Sequence, residues 1–313
     1  MISIIIPCYN AEANLDATIA SVKAQTSGDW EIVAIDDGSA DATYVKLQKL
    51  AAEDKRIRVI HQENQGVSAS RNNGIRNAVG DIIYFLDSDD LIEPGLVDRL
   101  EREFKDNPDM AIFGFRLENS DGSVSTHIPK SDDRMELLRM FLTNRSSIHI
   151  CSGAYSRKFL EENKLRFDIA TAYSEDREFV CYALFAACKV KVIKIPYYTY
   201  KWYPDSIMRR KIYDEKKFSS VLACERMYHR LAGSEVCKEA LIQLKTTILL
   251  HFRFHQKYNL EPNHATALLS EKAGIYLKKL SPLRMQRDAL YAAVMGAVYV
   301  YFPLLYRQIV KII

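Results

Sequence analysis

Through residue 90, short unbroken apolar runs alternate with stretches of helical period. SIIIPCYN (3–10) predicts a strand. NLDATIASVKAQ (14–25) predicts a helix with Leu15, Ile19 and Val22 on one face. EIVAIDD (31–37), IRVIHQ (57–62) and DIIYFLD (81–87) predict three more strands. TYVKLQKLAAE (43–53), with Val45, Leu47 and Leu50 as candidate core residues, and SASRNNGIRNAV (68–79) predict the intervening helices. This βαβαβαβ order implies an α/β fold with a mostly parallel sheet and helices on both faces. The runs IIIP, IVAI and IIYFL have no polar alternation, as strands buried on both sides require.

After residue 90 the pattern loosens. Helices are predicted over 95–106, 133–143, 154–168 (with its exit) and 174–187, and strands over 110–117 and 189–203. The Asp-Gly within 118–127 marks a hairpin turn. From about 210 only helical patterns remain, over 214–232, 236–259 and 264–280. The 313 residues therefore divide into an α/β domain over 1–205 and a C-terminal helical domain over 206–313.

Charge sharpens this division. Residues 1–205 hold 25 Lys+Arg against 32 Asp+Glu, a net of −7; residues 206–313 hold 18 against 8, a net of +10. The second part thus favours an anionic partner, a membrane surface or nucleic acid. No basic-aromatic pattern resembles a nucleic-acid module, so nucleic acid is the weaker choice. The chain enters an apolar strand at once, with no basic leader or small-residue cleavage site, so no secretory signal is expected. The six cysteines form no CxxC pair and no metal-ligand spacing, which suits reduced thiols in the cytosol.

In a parallel α/β sheet, ligands bind beyond the carboxyl ends of the strands. Strand one ends in Pro7-Cys8-Tyr9-Asn10, strand two in Asp36-Asp37-Gly38-Ser39, and strand four in Asp87-Ser88-Asp89-Asp90. Singly, these motifs read as a turn or a helix cap. Together they place an aromatic ring and several carboxylates around one crevice, where the charges repel unless neutralised. Hard oxygen donors suit Mg²⁺ or Mn²⁺, ions that typically bridge substrate phosphates.

Residues 2–95, from SIIIPCYNAEANLDATIASVKAQT through WEIVAIDDGSADAT and NQGVSASRNNGI to GDIIYFLDSDDLIEP, resemble the nucleotide-sugar domain of family 2 glycosyltransferases, which have the Rossmann-like GT-A fold. A weaker likeness continues to about 203 through YSRKFLEENKLRFD and YSEDREF. The resemblance implies that Pro7, Tyr9 and Asn10 line the nucleotide site, with Tyr9 against the uracil of a UDP-sugar. Asp37, or its neighbour Asp36, would accept the uracil N3–H. Arg71 would reach the uracil or diphosphate side. Asp87, Ser88 and Asp89 match the Asp-X-Asp motif: Asp89 would ligate Mn²⁺ or Mg²⁺, and Asp87 would hold the ribose or a metal-bound water. A rival of the same fold, the sugar nucleotidyltransferases, carries a glycine-rich loop after strand one, where this chain has YNAEANL.

Inverting transfer needs a base for the acceptor hydroxyl. YSEDREF (173–179) resembles the family's Glu-Asp motif, which implies Asp176 as base and Glu175 as second candidate; an acidic first turn of a helix is the plainer account of both. His149 is another candidate base, although a lone histidine in SSIHIC more often serves the structure. Lys201, Arg209 and Arg210 follow the last strands, where family members often place a basic segment over the diphosphate; a solvated linker is the other reading. The Gln-X-X-Arg-Trp motif of processive synthases is absent, which points to one hexose or N-acetylhexosamine per encounter.

ALYAAVMGAVYVYFPLLY (289–306) carries no charge, is interrupted by Pro303, and is flanked by Arg284, Arg287, Arg307 and Lys311. It is short for a span of ~20 residues, and an interfacial helix with tyrosines at headgroup depth fits better than a buried one. The expectation is a cytoplasmic enzyme, peripheral on the inner face of the cell membrane. Its saccharide acceptor would be lipid-linked, for capsule or another surface polysaccharide. The alternatives are a transferase using a GDP- or dTDP-sugar, and a catalytically silent, membrane-associated nucleotide-sugar-binding subunit.

Overall fold

The apolar run Ile2–Cys8 forms β1, an inner strand of the sheet, in a computed structural model that describes residues 1–146, 148–201, 215–257 and 264–277. By contacts the chain divides into two units: Met1–Ala170 with Glu175–Ser206, and Thr171–Ser174 with Ile207–Ile313.

In the first unit, β2 (Trp30–Asp37), β3 (Ile57–Gln62) and β4 (Ile82–Phe85) join β1 in the order β3-β2-β1-β4, all parallel. β2 is buried along its whole length, as its unalternating sequence predicts. The connecting helices are α1 (Leu15–Lys23), α2 (Thr43–Glu53) and α3 (Val67–Asn77). Leu15, Ile19 and Val22 are buried in α1. Val45 is a correction: it is 65% exposed while Leu47 is buried. Two residues apart on a helix is about 200°, so the two cannot share a face. α3 lies close on the sheet because residue 74 is glycine: a Cβ there would come within 2.2 Å of Ile5 Cγ2.

Beyond β4 the polarity changes. β5 (Leu91–Ile92), α4 (Leu96–Phe104), β6 (Met110–Glu118), β7 (Val124–His127), α5 (Arg134–Leu142), β8 (Gly153–Ser156), α6 (Arg157–Glu162), α7 (Glu175–Ala186) and β9 (Val190–Lys201) follow. The sheet continues β4-β8-β6-β9-β5, with β7 paired to β6. β8 runs antiparallel to both β4 and β6, and β9 antiparallel to β5 but parallel to β6. The sheet is therefore mixed: its first four strands are all parallel, and beyond them antiparallel pairs join the parallel pair β6-β9. The helix predicted to begin at 154 is likewise corrected: residues 153–156 are strand, and the helix is the short α6. Pairing on both edges overrides the local helical pattern there.

The second unit holds a 3-10 turn (Glu215–Phe218) and three helices, α8 (Ser219–Arg230), α9 (Cys237–Lys257) and α10 (His264–Tyr276). Val221, Cys224 and Met227 of α8, Leu244 and Ile248 of α9, and Leu269 and Ala273 of α10 are buried. Glu225 accepts from Lys272 Nζ and from the Tyr276 hydroxyl, each at 2.8 Å. Among the described residues no helix is long and apolar enough to cross a membrane. Residues 289–306, Arg209 and Arg210 lie outside the described residues.

Candidate active site

The ends of β1 and β2 are latched together. Asn10, at φ 51°, donates its backbone N–H to Ser39 Oγ (3.0 Å) and accepts the Ala40 N–H on Oδ1 (2.8 Å). Tyr9 beside it is 53% exposed, and Pro7 is half-buried opposite Ile35. Asp36 and Asp37 are successive strand residues and so point to opposite faces. Asp36 is fully buried with Oδ2 2.7 Å from His61 Nδ1, and its Oδ1 has no partner among the described residues. Asp37 is also buried and accepts from Gln62 Nε2 (2.7 Å) and the backbone N–H groups of Gln65 (2.9 Å) and Gly66 (2.8 Å). Its carboxylate thus fixes the entry to α3. Gly38 between these motifs sits at φ 71°, where a Cβ would meet the Asn64 nitrogen at 2.9 Å.

The end of β4 carries Asp87, Ser88, Asp89 and Asp90. Thr18 Oγ1 donates to the Ser88 carbonyl (2.9 Å) and the Asp90 N–H to the Asp87 carbonyl (3.2 Å), which sets the loop. Asp90 is buried and accepts from the Tyr198 hydroxyl and the Lys201 N–H (2.8 Å), tying the loop to β9. Burial, with Asp87 and Asp89 nearby, pushes its carboxyl up to about 9. Burial also pushes Asp89 up to about 6, with the Asp87 charge adding to it. Burial works to raise Asp87 as well, yet Arg71, with His149, outweighs it and holds Asp87 below the usual carboxylate range.

Arg71 is 4% exposed, with Nη2 2.8 Å from Asp87 Oδ1 and Nη1 3.2 Å from Glu175 Oε1. Sequence reasoning placed this guanidinium at the uracil or diphosphate; in the structure it lies between two carboxylates. Glu175 opens α7 after Ser174, which takes φ 69°. Burial and the Asp176 charge push Glu175 up to about 7, against the pull of Arg71. Asp176 is half-buried and accepts the Arg177 N–H on Oδ1 (2.7 Å).

His149 and Cys151 join this end of the site: their ligand atoms and an Asp87 oxygen all lie within 4.8 Å of one another. His149 stacks on Tyr198 and Tyr200, with centroids 5.2 and 5.4 Å away. No motif marked either residue for this place. They arrive because β8 runs antiparallel to β4, so the segment preceding β8 meets the end of β4.

The carboxylates fit a hard divalent cation. Two acidic side chains, Asp87 and Asp89, share a partly buried loop, and Asp89 carries a charge unfavourable enough to lift its carboxyl. Burial pushes the Cys151 thiol well above its ordinary range and keeps it protonated, which makes it a poor ligand for a hard ion. A separate cavity of about 840 Å³, lined by Met1, Ile82 and Ser156 among others, opens at the start of β1 and β4, away from these motifs.

The family model for glycosyl transferase family 2 matches residues 3–163. The chain belongs to glycosyltransferase family 2. EpsH of Bacillus subtilis, named a glycosyltransferase, is 32% identical over 258 residues, covering 80% of this chain and 74% of EpsH. Among solved structures, S. aureus TarS 1–349 in complex with UDP-GlcNAc aligns with a TM-score of 0.73 at 18% identity, over 99% of this chain and 90% of that one. The mannosyltransferase PcManGT of Pyrobaculum calidifontis, in complex with GDP-Man and Mn²⁺, aligns at 0.57 and 15% identity, over 99% and 83%. The mixed sheet with flanking helices is thus the GT-A fold, and the chain is a glycosyltransferase.

Proposed function

We propose that this family 2 glycosyltransferase moves one sugar, a hexose or N-acetylhexosamine, from a UDP-sugar to a saccharide acceptor with inversion at the anomeric carbon. The observation that carries the reading is the arrangement at the end of β4: Asp87 and Asp89 on one loop, with Arg71 linking Asp87 to the Glu175-Asp176 motif at the start of α7. UDP-GlcNAc in the TarS complex supports the choice of donor.

In this reading Tyr9, exposed beyond β1, stacks the uracil, with Pro7 and Asn10 shaping the loop beneath it. Asp37, with three donors already in place, keeps an acceptor position for N3–H, while Asp36, on the other face, is engaged by His61. Asp89 and Asp87, spaced by Ser88, hold the divalent cation. When bound, Mn²⁺ or Mg²⁺ neutralises the charge that the departing diphosphate acquires. Asp176 takes the proton from the acceptor hydroxyl as its oxygen bonds to the anomeric carbon. The bond from that carbon to the diphosphate oxygen breaks on the opposite side, UDP leaves with the electron pair, and the configuration inverts.

Residues 1–205 form the donor unit on this reading, and the basic residues 206–313 bring the enzyme to an anionic membrane surface on its cytoplasmic side. The acceptor is then a lipid-linked saccharide on the way to a surface polysaccharide. Titration calorimetry with UDP, GDP and dTDP, with and without Mn²⁺, tests the donor assignment. Metal-dependent binding of UDP alone is expected. Preference for GDP or dTDP would replace the donor, and no nucleotide binding would leave a silent member of the family.

A further inference from the structure

Arg71 forms ion pairs with both ends of the proposed site. Its partners, Asp87 and Glu175, lie 16 and 104 residues away in the chain. The same turn of α3 holds the surrounding scaffold. Asn72 Nδ2 donates to the Phe167 carbonyl (2.8 Å) and its Oδ1 accepts the Phe167 N–H (2.9 Å). The Phe167 ring lies 5.3 Å from the Arg71 guanidinium and stacks on Phe179 of α7, with centroids 4.1 Å apart and 4° between planes. The end of β4, α3 and the first turns of α7 are thus one packed set, with the buried Arg71 guanidinium at its centre.

We propose that Arg71 is a positioning residue that couples the donor end of the site to the base end, so that occupancy at Asp87 changes the hold on Glu175. The inference rests on the UDP-sugar reading above. One guanidinium charge is divided between two carboxylates, and a planar fork can serve both at once where an ammonium serves one. Its Nε has no acceptor among the described residues, so the fork is not saturated by its partners. A divalent cation held by Asp87 and Asp89 weakens the claim of Asp87 on Arg71 and leaves more of that charge for Glu175. Binding linkage is reciprocal. Loss of the charge on Glu175 therefore leaves Arg71 wholly to Asp87, where it competes with the cation.

The test is a binding cycle, read by calorimetry as UDP affinity with and without Mn²⁺, in the full chain and in Glu175→Gln, Arg71→Lys and the double variant. Thermal unfolding of each variant confirms that it is folded. Glu175→Gln is expected to weaken Mn²⁺-dependent UDP binding on the order of 5-fold or more, the lower range of measured couplings. In the Arg71→Lys background the same substitution should change affinity by less than about 2-fold, because lysine does not span both carboxylates. Glu175→Asp, one methylene shorter, keeps the charge but loses the 3.2 Å contact. It should reproduce the weakening without any change at Arg71, which covers the case of an unfolded Arg71→Lys. Equal effects of Glu175→Gln in both backgrounds, or no effect in either, would overturn the coupling while the donor assignment stands. Absence of Mn²⁺-dependent UDP binding in the unmodified chain would overturn the donor assignment and the coupling with it, before any variant is made.

Discussion

Asp89 and Asp176 carry the chemistry proposed here, and each has a separable signature. Asp89→Ala should abolish Mn²⁺-dependent UDP binding; an unchanged affinity would remove Asp89 from the cation site. Asp176→Asn should leave UDP binding intact while turnover falls about 10²–10⁴-fold, the range for loss of a positioned base; near-normal turnover would place the base elsewhere. Glu175 has a third signature, in stability. Its carboxyl is pushed up to about 7 in the folded protein from an ordinary 4.5, by burial and then by Asp176. As pH falls from 8 through 7, the folded state takes up this proton while the unfolded chain does not, so folding gains; below about 4.5 both states are protonated and the gain stops growing. Without added cation, Glu175→Gln should flatten the pH dependence of the unfolding midpoint between pH 5 and 8, as differential scanning calorimetry would register. An unaltered slope would mean that Glu175 does not titrate in this window.

At the scale of elements, α3 is the piece on which the site depends. It is entered through a loop held by Asp37 and seated on β1 through Gly74, and it delivers Arg71 one turn before that glycine. Gly74→Ala should destabilise the protein by about 1–3 kcal/mol, the cost of overpacking a filled interior. Urea unfolding would measure it, and a loss within error would mean that the helix can shift without cost. The elements through residue 90 were legible from the sequence, because strand and helix periods there are long and each agrees with its neighbours. β5 and β8 were not. They have two and four residues, and their strand character comes from partners on either side rather than from their own pattern. The motifs after β1, β2 and β4, two of them acidic, were legible as a group, since parallel strands bring their carboxyl ends to one side of the sheet. The engagement of Arg71 was not, because pairing across 16 and 104 positions leaves no periodic trace. His149 had no surrounding motif, and only the antiparallel entry of β8 brings it beside Asp87.

For the whole molecule, the charge division between residues 1–205 and 206–313 has a direct test. The intact chain should co-float with vesicles containing anionic lipid and release as salt is raised, since each basic residue near such a surface contributes ~1 kcal/mol and is screened beyond about 10 Å at 0.1 M. Equal recovery with neutral vesicles would point to apolar attachment instead, and no recovery would remove the membrane from the proposal. The change of strand polarity at β4 has a different consequence. Loops that follow β1, β2 and β4 leave strands of the core, and Ile150, Cys151 and Ser152, which enter β8 from the opposite direction, are buried as well, with the Cys151 carbonyl accepting from the Tyr84 hydroxyl at 2.8 Å. Both sides of the proposed crevice are thus bolted to the same interior. A change written into that lead-in is therefore felt at once on the opposite wall, where Asp87 stands within 4.8 Å of the His149 and Cys151 ligand atoms.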